Sequence, residues 1–186
     1  MTVFPFPPDA DAPFSVVGFD WADGEPAGEL FVLPRGMRSP VAGAPVWSPE
    51  GGAAGTGALC DAETAGAEQP VWMDCFCPHG TIRDRLTHAA QQYGARLWLH
   101  LTPIAQLYAL PCPDGRGRTA SRAEQERALA EHPSCFCPEF LCQCCHWAKG
   151  GQIFMLLYDT GETIGMKLAL ADTLGVKYVF GELESR

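Results

Sequence analysis

Two stretches of this 186-residue chain carry residue types that do chemistry. The first is Asp159-Thr160-Gly161-Glu162. A carboxylate leaves an apolar run there, a glycine allows close backbone approach, and a second carboxylate opens a helix-like segment. The pattern suits Asp159 to hold a pair of sugar hydroxyls and Glu162 to act beside it as acid, base or nucleophile. It equally reads as a helix start, with Asp159 or Thr160 as cap and Glu162 complementing the helix dipole. The second stretch runs from Cys135 to His146. It holds Cys135, Cys137, Cys142, Cys144, Cys145 and His146, a density of soft ligands that suggests zinc wrapped by a proline-broken loop. Adjacent Cys144 and Cys145 point apart and do not both suit one ion. Buried reduced thiols, an iron–sulfur cluster and a redox disulfide are the alternatives. Cys-Phe-Cys-Pro recurs at Cys75 to Pro78. A thiol ahead of a helix has a lowered pKa, which makes Cys75 or Cys77 a nucleophile candidate with His79 as the nearest base.

These groups need elements to position them, and periodicity supplies a consistent set. Pro70 to Asp74 reads as a short strand. Thr81-Ile-Arg-Asp84 matches a helix-opening capping box, followed by apolar residues at helical spacing and a terminal Gly94. Ala95 to Thr102 reads as a strand, and Ser121-Arg-Ala-Glu124 opens a second helix to about Glu131. Gln152 to Tyr158 is the strongest strand, short and continuously apolar, as for one buried on both faces. A helix over Glu162 to Leu174 and a strand over Val176 to Phe180 close the chain. The order predicts an α/β fold: a mostly parallel Rossmann-like sheet with helices on both faces, plus an irregular N-terminal extension. In such sheets ligands sit beyond the carboxyl ends of the strands. The expected ligand contacts are therefore Asp74, Gly80, Thr81, Thr102, Thr160 and Gly161. His88 and His100 read as structural, and Trp72, Trp98 and Trp147 as core. Arg116, Arg118, Arg122 and Arg127 form a mildly basic stretch, read as a solvated face that could touch a phosphate.

The segment from Asp159 through Gly175 to Val179 resembles the closing β-α-β of the nucleoside 2-deoxyribosyltransferase-like group, and Val71 to Pro103 is similar to its opening unit. The resemblance covers about residues 70–103 and 150–180. It implies a nucleoside or nucleotide ligand, N-glycosidic bond cleavage or transfer, and a site completed by a neighbouring subunit in a homo-oligomer. In that family a helix glutamate acts on the anomeric carbon. The matching position here is Lys167, which cannot play that part but could contact the ligand. Either Glu162 substitutes, or the site binds without cleaving.

Composition bounds the rest. Apolar residues make up 47% of the chain, enough for a core, and no apolar run is long enough to span a membrane. The N-terminus lacks a basic leader, so a cytoplasmic location is expected. Net charge is −9 with pI near 4.9, which argues against general nucleic-acid or anionic-membrane binding. That charge lies entirely in residues 1–80, which hold 11 acids, two bases and 11 of the 16 prolines. Residues 1–69 are expected to be an acidic Pro/Gly-rich segment, with 42–69 as linker, and 70–186 the α/β domain with a Cys-rich loop at 135–146. Three functions remain open: an enzyme on nucleosides or nucleotides, a zinc-stabilised nucleotide-binding protein, or a partner-binding module using the acidic N-terminal surface.

Overall fold

A computed structural model describes residues 70–75 and 80–181. It also describes the backbone of five strands before them: β1 (Thr2–Pro5), β2 (Ser15–Asp20), β3 (Ala27–Val32), β4 (Val46–Ser48) and β5 (Gly57–Ala58). Then come β6 (Val71–Asp74), α1 (Ile82–Tyr93), β7 (Leu97–His100), β8 (Ala105–Leu110) and β9 (Arg118–Thr119). α2 (Arg122–Glu131), β10 (Ser134–Cys137), β11 (Cys142–Lys149), β12 (Gln152–Tyr158), α3 (Gly161–Thr173) and β13 (Tyr178–Gly181) complete the order.

The strands form three sheets. A four-stranded parallel sheet has the order β1-β13-β7-β6. A five-stranded antiparallel sheet has the order β10-β11-β12-β8-β9. The strands β2-β3-β4-β5 make the third. The expectation of one mostly parallel Rossmann-like sheet is thus corrected: Gln152 to Tyr158 lies in the middle of the antiparallel sheet. Its uniform apolarity reports burial on both faces, which either strand direction satisfies. The helices are not on both faces of the parallel sheet either. Leu97 and Leu99, two apart on β7 and so on one face, share a single core with Ile82, Leu86 and Ala89 of α1 and Ile164, Leu170 and Ala171 of α3. α2 packs instead on the antiparallel sheet, through Ala128 against Cys145, Leu156 and Tyr158.

Local signals explain where the helices begin. Thr81 caps α1 by accepting the Asp84 N–H at 3.0 Å, Ser121 and Glu124 form a full capping box on α2, and Thr160 with Thr163 does the same on α3. The antiparallel sheet is an excursion from the parallel core. The chain leaves β7 through Leu101–Ile104, builds β8 to β12, and returns through Asp159–Thr160 to α3. The two crossing points are sewn together. The Asp159 N–H donates to the Ile104 carbonyl at 2.9 Å, and the Ile104 N–H donates to Asp159 Oδ2 at 2.9 Å.

Candidate functional site

Asp159, Thr163 and Lys167 follow one another at intervals of four, so they lie along one face at the start of α3. All three are buried. Lys167 Nζ donates to Asp159 Oδ1 and Oδ2, both at 2.7 Å. The Thr163 hydroxyl donates to Oδ1 at 2.8 Å, and the Ile104 N–H takes the fourth position on the carboxylate. Asp159 has no lone pair to offer a sugar, and Lys167 is spent on Asp159 rather than on a ligand. The sequence reading places Lys167 on the helix and Asp159 in the turn ahead of it, as found. It does not show that they neutralise each other.

The other expected contacts are dispersed or structural. Thr160 and Thr81 are helix caps. Gly161 and Gly80 have open space where a Cβ would stand, so no backbone approach requires a glycine there, although Gly80 has φ +74. Glu162 is exposed in the first turn of α3, where it complements the dipole. Thr102 Oγ1 meets His100 Nε2 at 3.0 Å, and Asp74 is exposed. Cys75 does come close to Lys167 and Asp159, but burial pushes its thiol up to about 12, the reverse of an activated nucleophile. Cys77 and His79 lie outside the described residues.

The cysteine stretch is a β-hairpin rather than a metal-wrapping loop. Side chains alternate along β11, so Cys145 faces away from Cys142 and Cys144. Cys145 Sγ donates toward the carbonyls of Ala128 and His132 at 3.8 and 3.9 Å, on the α2 side of the sheet. Among the described residues no three His, Cys, Asp or Glu side chains converge as a metal requires. Of the six expected ligands, Cys135, Cys137, Cys142, Cys144 and His146 alternate onto one face of the hairpin, and Cys145 lies on the other.

A different site lies between α2 and the antiparallel sheet. It encloses about 410 Å³ and is lined by Leu107, Ala128, His132, Trp147, Phe154 and Leu156, with Arg118, Glu124, Arg127, Glu131 and Lys149 among its polar walls. Trp147 and Phe154 are cross-strand partners and stack with centroids 5.7 Å apart. The His132 imidazole, at the end of α2, lies nearly parallel to Trp147 at 5.3 Å. Three rings thus form a row along one wall. Arg118 is held by Glu124 through two contacts, one at 2.9 Å, and with Ser121 it drives the Glu124 carboxyl down to about 2. Sequence reasoning assigned Trp147 to the core and Arg127 to a solvated face. Arg127 is exposed, as read, at the rim of the cleft. The signal that could have placed Trp147 is the Gly150-Gly151 turn, which folds β11 onto β12 and brings Trp147 opposite Phe154.

No protein-family model matches the chain, and no curated protein matches it in sequence. Among solved structures, YdhD of Bacillus subtilis, a proposed sporulation-specific glycosylase, is similar over 68% of this chain and 53% of its own, with 10% identity and a TM-score of 0.53. The spore cortex-lytic enzyme SleL of Bacillus cereus aligns over 55% of this chain and 25% of its own, at 12% identity and a TM-score of 0.43. SleL of Bacillus megaterium QM B1551 gives 13% identity and 0.42 over the same shares. The chain spans about half the length of YdhD and a quarter of each SleL enzyme. The resemblance to nucleoside deoxyribosyltransferases, and the nucleotide site built on it, are overturned by the antiparallel placement of β12 and the saturated Asp159 carboxylate. What the chain shares, at the level of fold, is an α/β arrangement also found in a glycosylase structure.

Proposed function

We propose that this chain is a glycan-binding α/β domain that holds its ligand in the cleft between α2 and the antiparallel sheet. The observation carrying this reading is the row His132–Trp147–Phe154 beside charged walls from Arg127, Glu131 and Lys149. A pyranose ring offers an apolar C–H face and a polar rim of hydroxyls. Aromatic side chains take the face and charged side chains take the rim. The volume falls in the range of roughly 300–1,000 Å³ usual for small-ligand sites. The fold likeness to YdhD supports a carbohydrate ligand.

That likeness also favours a second reading, glycoside hydrolysis. Hydrolysis needs two carboxyl groups, one of them kept protonated to donate to the leaving oxygen. Glu124, held down to about 2 by Arg118 and Ser121, is ionised at neutral pH, and Glu131 is the other carboxyl group on the cleft wall. The aromatic row speaks to ligand contact rather than to proton transfer, so binding is the primary reading.

Calorimetric titration with soluble N-acetylglucosamine oligomers and peptidoglycan glycan fragments tests it. Saturable binding is expected, weakened about tenfold or more, or ~1.4 kcal/mol, in a folded Trp147→Ala variant. Absence of binding to every glycan, or unchanged affinity in that variant, would overturn the proposal. Accumulating reducing ends would replace it with the hydrolase reading.

A further inference from the structure

The four thiols on one face of the β10–β11 hairpin have no part in glycan binding. Alternation puts Cys135 and Cys137 on one face of β10, and Cys142 and Cys144 on the same face of β11. The register sets Cys135 directly opposite Cys144, and Cys137 directly opposite Cys142. Directly opposed residues of an antiparallel pair stand about 4.5 or 5.5 Å apart at Cα, and both separations lie within the roughly 4.4–6.8 Å that a disulfide spans. Diagonal neighbours, at about 7–8 Å, lie beyond it. The pairing is therefore selective. All four thiols are free, and their exposure is graded: Cys135 is exposed, Cys137 and Cys144 are half-buried, and Cys142 is fully buried.

We propose that this face is a paired dithiol site that closes into two cross-strand disulfides, Cys135–Cys144 and Cys137–Cys142, by exchange with a low-molecular-weight disulfide such as oxidised glutathione. The Cys135 thiolate attacks one sulfur of the glutathione disulfide, forming a mixed disulfide and expelling one glutathione thiolate. The Cys144 thiolate then attacks the Cys135 sulfur, closing the bridge and expelling the second. Cys137 and Cys142 react in the same order, the more accessible β10 thiol receiving the adduct and the β11 thiol behind it resolving it. Burial pushes the Cys144 thiol up to about 11 and the Cys142 thiol up to about 12, so both resolving steps are slow at neutral pH and quicken as pH rises. For each bridge the protein loses two electrons and two protons, and one glutathione disulfide becomes two thiols. Because β10 is the edge strand and follows His132, the bridges tie down the segment next to the aromatic row.

The test uses the full chain, reduced and then incubated with oxidised glutathione. Cleavage after Glu139 separates Cys135 and Cys137 from Cys142, Cys144 and Cys145. We expect these two peptides to be recovered joined and lacking four hydrogens by mass spectrometry. Cys137→Ala/Cys142→Ala and Cys135→Ala/Cys144→Ala should each stay joined and lack two hydrogens. Cys135→Ala/Cys142→Ala, which leaves a diagonal pair, should remain unbridged, with circular dichroism confirming that it folds. Persistent glutathione adducts in the wild type, closure of the diagonal variant, or a bridge through Cys145 would each overturn the proposal. So would an equivalent of zinc retained after purification and lost in Cys135→Ala.

Discussion

A lysine that is 1% exposed facing an aspartate that is 5% exposed is expensive to assemble. Each ion loses several kcal/mol of hydration, which is offset only when the remaining polar atoms are satisfied, as the Asp159 oxygens are by Lys167, Thr163 and Ile104. Lys167→Met should therefore cost about 3–5 kcal/mol of unfolding free energy, read from denaturant midpoints, because it strands a buried carboxylate. Adding Asp159→Asn should restore much of the loss, since an amide oxygen still accepts the Ile104 N–H. An unchanged midpoint in the single variant would remove the clamp. Cys75 supplies a second prediction. Its thiol rises from 9.0 to about 12 in the folded chain, so the folded state holds the proton longer than the unfolded one. Its stabilising contribution is complete below pH 9 and is lost as pH rises toward 12. Cys75→Ala should flatten the alkaline limb of a stability–pH curve. An unaltered slope would place Cys75 in water. The interval of four that joins residues 159, 163 and 167 was legible in the sequence. Their mutual cancellation was not, because it depends on the Ile104 crossing point arriving from a distant part of the chain.

Capping chemistry made the helices readable in advance, since Thr81, Ser121 and Thr160 each satisfy local N–H groups and need no tertiary partner. On α2 this is especially consequential. Glu124 serves the capping box and the Arg118 pair at once, and the helix supplies one wall of the aromatic cleft. Ser121→Ala should cost about 1 kcal/mol of stability, measured by thermal or denaturant unfolding. A variant as stable as the parent would show that the cap does not hold this helix. The strands were less legible. The β10–β11 turn uses Leu141 at φ +48, where a hairpin ordinarily shows glycine or asparagine, so nothing marked the stretch as a hairpin. Its cysteines then suggested a ligand loop. The Gly150-Gly151 turn, by contrast, carried the expected mark, with φ +60 and +80.

At the scale of the molecule, the parallel strands β6, β7 and β13 were placed correctly along the chain, but their number and neighbours were not. Local periodicity cannot say which strands pair. The choice between a parallel crossover and an antiparallel excursion is made by contacts between residues far apart in sequence, such as Tyr108 with Met155 and Leu107 with Leu156. The excursion has a consequence of its own. Since Ile104 and Asp159 hold its two feet against each other, the closure entropy of everything between them is met at the base, and that entropy grows only logarithmically with length. The β10–β11 turn is bound to the α1–α3 core, since the Glu139 carbonyl accepts the Ile82 N–H at 2.8 Å and Leu141 packs beside Ile82 and Ile164. The Gly150-Gly151 turn at the other end of β11 has no such tie among the described residues, so chain can be added there, next to the cleft, while the foundation stays constant.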